Sequence, residues 1–95
     1  MGHMTPSELC SQSIRALEAS ATRLMSTVTQ PSMREQVRLA TRDLTEARLL
    51  MAEPEIDWSR CRLTIVQTTI ELARARLSAV SEALAKYGPD AALFG

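Results

Sequence analysis

Three arginines spaced four apart, Arg34, Arg38 and Arg42, are the first feature of this sequence with the means to do chemistry. On a helix, side chains four apart stand one above another, so the guanidinium groups would form a ridge that grips phosphates or an acidic partner. Glu35, Asp43 and Glu46 stand beside them, and Arg42 with Glu46 is itself a four-apart ion pair. The simpler reading of the ridge is a solvated, salt-bridged face. Two further arginine pairs, Arg60 with Arg62 and Arg74 with Arg76, are diluted by Asp57 and Glu71. No aromatic side chain is interleaved for base stacking. Acidic and basic residues balance at 11 each, so no overall field draws nucleic acid or an anionic membrane.

Cys10 and Cys61 are the remaining nucleophiles. Each falls within the first two turns of an expected helix, where the positive helix end lowers a thiol's pKa. Cys10 belongs to an apolar seam and Cys61 lies off one, so both read as buried or half-buried free thiols in a reducing compartment. The single histidine, His3, sits in Met1-Gly2-His3, which reads as vector-derived and lies outside a single domain expected over 4–95. Two cysteines without a histidine are too few for a zinc site, and the usual general base is missing. No cofactor and no metal are expected.

The elements that must position these residues are helices. Thr5-Pro6-Ser7-Glu8 has the form of a capping box with proline at the first helical position. Cys10, Ile14, Leu17, Ala21, Leu24 and Val28 then repeat every four and three residues, until Thr29-Gln30-Pro31 breaks the run. Ser32-Met33-Arg34-Glu35 reads as a second capping box, with Gln30 as cap before Pro31 as the competing start. Met33, Val37, Ala40, Leu44, Ala47 and Met51 repeat the same spacing up to Glu53-Pro54-Glu55. Asp57 caps the third helix, with Ile56 and Cys61 as a hydrophobic staple. Its seam is Leu63, Val66, Ile70, Ala73, Leu77, Val80, Leu84 and Tyr87, and Gly88-Pro89 stops it. The spacing predicts helices near 6–29, 32–52 and 57–87, with Leu17, Leu24, Leu44, Ile70, Leu77 and Leu84 buried together.

Short connections force neighbouring helices antiparallel. The expected fold class is therefore all-α: an antiparallel up-down-up three-helix bundle with heptad-patterned seams and a long third helix. Hydrophobic residues make up 45% of the chain but aromatics only 3%, so small residues at Ala21, Ala40, Ala47 and Ala73 should let the helices approach closely. In the tail, Asp90 would cap a turn that folds Leu93 and Phe94 back onto the bundle.

The third helix carries more apolar surface than one seam. Trp58, Ile65, Leu72 and Ala79 recur every seven residues, about 160° around the helix from the Leu63, Ile70 and Leu77 edge. Leu39, Leu49 and Leu50 likewise stand off the main seam of the second helix. Such a broad face either packs against both neighbouring helices or docks another chain. The second reading makes Trp58, Ile65, Leu72, Leu39 and Leu49 the interface candidates, with a homodimer or a partner helix centred on Trp58, Ile65 and Leu72.

In architecture alone, such a bundle resembles the small all-helical chorismate mutases, which bind a dicarboxylate through arginines on helices. No motif carries that likeness here. The carboxylates are scattered rather than paired, and no glycine-rich loop is present to cradle a phosphate. The expected function is thus a non-catalytic interaction protein of adaptor, chaperone or inhibitor type, bacterial (or phage-encoded) and cytoplasmic, with no membrane span. The alternative is a small helical nucleic-acid-binding regulator that uses the arginine ridges.

Overall fold

The computed structural model describes residues 5–52 and 60–89. Three helices, α1 (Pro6–Thr27), α2 (Pro31–Ala52) and α3 (Arg60–Tyr87), account for nearly all of them, and every pair of helices is in contact. There is no strand among the described residues. The all-α three-helix architecture follows the heptad pattern directly.

Each described helix end has a local cause. Thr5 Oγ1 accepts from the Glu8 amide at 3.1 Å, and Glu8 Oε2 accepts from the Thr5 amide at 3.3 Å, so the expected capping box is formed. Helix α1 stops two residues short of its expected end: Thr27 is its last residue and Val28 turns extended, with its side chain buried. The second helix starts from Gln30 rather than Ser32. Gln30 Oε1 accepts from the amides of Ser32 at 2.7 Å and Met33 at 3.1 Å, while Pro31 takes the first helical position, where its missing N–H leaves nothing unpaired. At the far end of α3, Gly88 adopts a φ of +87°, the left-handed turn that glycine accepts without a Cβ clash.

The Pro89 carbonyl accepts from the amides of Thr29 at 3.3 Å and Gln30 at 3.2 Å. The α1–α2 turn is thereby tied to the end of α3, and the three helices run up, down and up. Within the bundle, Met33, Ala40, Leu44, Ala47, Ala73 and Val80 have no measurable exposure. Four small residues, Ala21, Ala40, Ala47 and Ala73, are buried where the helices meet, as expected of close approach. Leu44, Ile70 and Leu77 are buried, whereas Leu17, Leu24 and Leu84 are only partly so. With one 22-residue helix on either side, the flanks of each seam stay open to water.

Asp57, the Ile56–Cys61 staple and the Leu93-Phe94 tail involve positions outside the described residues.

Candidate protein-interaction face

The arginine ridge of α2 is divided among three different tasks. Arg34 Nη1 donates to the Met25 and Val28 carbonyls, both at 2.9 Å, and so ties up carbonyls that the end of α1 leaves open. Arg38 donates to both oxygens of Glu35, with its Nε at 2.8 Å. That paired hydrogen bond, then the charges of Arg38 and Arg42, hold the Glu35 carboxyl below its ordinary pKa. Arg42 makes no hydrogen bond or ion pair among the described residues, and the expected Arg42–Glu46 pair is not formed. Stacked by sequence, the three guanidinium groups do not converge on one anion.

Asp43 departs from the expected solvated face, because it is buried. It lies at the edge of the α2 seam, one residue before Leu44, and meets Arg76 of α3 at 3.4 Å. Arg76 Nη1 also donates to Gln36 Oε1 at 3.1 Å. Neither Asp43 Oδ2 nor Arg76 Nε makes a well-aligned hydrogen bond, so this is a loose ion pair held in a mostly dry seam. Elsewhere, ion pairs join Arg48 to Glu18 across α1 and α2, and Arg74 to Glu71 along α3.

The free thiol of Cys10 is buried on the seam of α1, and burial pushes its pKa up. The lowering expected from the helix start is outweighed by desolvation. Cys61 belongs to α3, but its side chain lies outside the described residues. No group of three or more acidic, cysteine or histidine side chains able to hold a metal occurs among the described residues. None of the described helices is long and apolar enough to cross a membrane.

Five large apolar side chains stand exposed among the described residues: Leu9, Leu49, Ile65, Leu72 and Tyr87. Tyr87, expected to close the α3 seam, is not buried, because it is the last residue of α3. On α3, Ile65 is 54% exposed and Leu72 is 48% exposed, while Val66, Ile70 and Leu77 of the same helix are at most 3% exposed. The second stripe is therefore not covered by α1 or α2. Trp58, its expected first member, lies outside the described residues. The Asp43–Arg76 contact marks where α2 meets α3, and Ile65 and Leu72 lie within about 40° of Arg76 on the side away from the core. On α2, Leu39 and Leu50 lie within about 40° of Asp43 on the same outward side, and both are half-buried. Ile65, Leu72, Leu39 and Leu50 thus border one α2–α3 face. Leu49 does not join it: it is 63% exposed but sits about 120° around α2 from Asp43.

Two members of the α3 stripe are missing from a reading based on seven-residue recurrence alone. Thr68 and Ala75, three residues after Ile65 and Leu72, are exposed, as is Ala79. The order Ile65, Thr68, Leu72, Ala75, Ala79 alternates three and four, so it is a complete second heptad seam with no charged residue. Searching both heptad positions, instead of one, would have found it.

No protein-family model, curated protein or solved structure matches this chain.

Proposed function

We propose that this chain is a non-catalytic interaction protein, of adaptor, chaperone or inhibitor type, that binds another polypeptide through the outer face of α2 and α3. One observation carries the reading: Ile65 and Leu72 stand half in water on an uncharged heptad seam, while Val66, Ile70, Ala73, Leu77 and Val80 of the same helix are at most 3% exposed. Contiguous apolar stripes of this kind are what helical partners cover. The arginines support it too, since Arg34, Arg38 and Arg76 are engaged within the fold. A cytoplasmic setting fits the free Cys10 thiol.

The test is capture from cell extract, with and without nuclease treatment, on immobilised wild-type protein and on the Leu72→Glu and Arg42→Glu variants, with each variant's unfolding curve recorded. Polypeptide retained by the wild type and by Arg42→Glu, but lost from a normally folded Leu72→Glu, is the expected result. Binding that requires nucleic acid, weakens steeply with salt and is lost from Arg42→Glu instead would replace this reading with the nucleic-acid one.

A further inference from the structure

We infer that the buried Asp43–Arg76 contact is the register key of the bundle: it fixes how far α3 stands along α2, a task the apolar seams between them cannot perform. Asp43, at 6% exposed, is the one buried polar or charged residue among those described. Its Oδ2 lies 3.4 Å from Arg76 Nε without an aligned hydrogen bond. A pair held so loosely adds little to stability, because its attraction barely offsets the desolvation of both charges. What it does supply is a large penalty for any arrangement that separates the two.

The seams themselves repeat. On α3, Val66, Ala73 and Val80 share one heptad position and Leu63, Ile70 and Leu77 the other. On α2, Met33, Ala40 and Ala47 share one, and Val37, Leu44 and Met51 the other. Sliding α3 by one heptad, about 10 Å, therefore lays apolar residues on apolar residues again. Chain length does not forbid the slide, because residues 53–59, which join α2 to α3, can reach up to about 25 Å. After the slide, Asp43 faces Thr69 or Ala83 instead of Arg76, and its carboxylate is buried without a cation. The Pro89 carbonyl also ties the end of α3 to Thr29 and Gln30, but through two hydrogen bonds at the edge of the bundle that water can replace. The same register sets Leu50 of α2 beside the Ile65–Leu72 stripe, so it assembles the outer face as well, whatever covers that face.

Distances between two spin labels test the inference. Nitroxides are attached at Leu49→Cys on α2 and Ala85→Cys on α3, both exposed sites, in a Cys10→Ala, Cys61→Ser background. In the observed register the two sites stand about 22 Å apart along the bundle. With Asp43 and Arg76 intact, pulsed electron paramagnetic resonance should give one distance. With Asp43→Leu and Arg76→Leu together, the chain should stay helical by circular dichroism and show a second population displaced by about 10 Å. One unchanged distance in the double variant would overturn the inference, because the apolar seams would then suffice. A double variant that unfolds would overturn it too, since the pair would then hold the fold instead of choosing its register. Two distances with the pair intact would equally contradict it.

Discussion

Val66, Ile70, Ala73, Leu77 and Val80, on one side of α3, are at most 3% exposed, whereas Ile65 and Leu72 stand half-exposed on a stripe of the same period. Both stripes belong to one helix and repeat every seven residues. They differ only in what lies opposite. Two neighbouring helices of 22 residues each cover one side of α3 and no more. An apolar heptad therefore specifies a helix with a face to bury, while the number and placement of its neighbours decide whether the chain buries it alone. On this account the inner seam makes the fold and the outer seam makes the contact.

Substitution on the two stripes is the sharpest way to break that distinction. Leu77→Ala should lower unfolding free energy by roughly 2–5 kcal/mol, the range for a core leucine that leaves a cavity. Leu72→Ala should change the monomer by less than about 1 kcal/mol, as surface sites do. Urea unfolding at low protein concentration measures both, and equal losses would mean that the outer seam is packed.

The Asp43–Arg76 pair at the boundary should rank next. Asp43→Ala removes the counter-charge of a largely buried guanidinium, with an expected loss of roughly 1–3 kcal/mol. Replacing both residues by leucine should recover most of it, because burying a loose ion pair is itself unfavourable. Failure to recover would show that Gln36, which also bonds Arg76, needs that partner. At the closed end of the bundle, Gly88→Ala should cost about 1 kcal/mol in thermal or urea unfolding, since a φ of +87° strains any residue with a Cβ.

The smallest effect concerns the exposed Arg38–Glu35 pair. Arg38 holds the Glu35 carboxyl below its ordinary pKa. The linked stability is present above the ordinary carboxylate pKa and is lost as pH falls through the lowered one. A carboxyl-resolved NMR titration should show Glu35 titrating low, and Arg38→Ala should return it upward. No change in that variant would remove Arg38 as the cause.

How much of this was legible follows the physics of each signal. The helices could be read because apolar spacing and caps are local: Thr5 with Glu8 formed the expected box, and Gly88 stopped α3. The start of α2 was ambiguous because Gln30 and Ser32 both have capping side chains, and Pro31 settled it. Asp43 was misplaced because its neighbours in sequence suggested a solvated ridge, while its position beside Leu44 turned it toward Arg76. Whether Ile65 and Leu72 pack inside was undecidable from period alone, since it depends on the placement of α1 and α2. Arg34 went unrecognised as a partner of the α1 carbonyls because that contact spans a turn, not a helix repeat.

The separation of the two seams is tested most directly by circular dichroism and urea unfolding of the wild type and Leu72→Glu at low protein concentration. Leu72→Glu should keep the wild-type helix content and unfold close to the wild-type urea midpoint. A Leu72→Glu chain that is unfolded without urea would contradict the account.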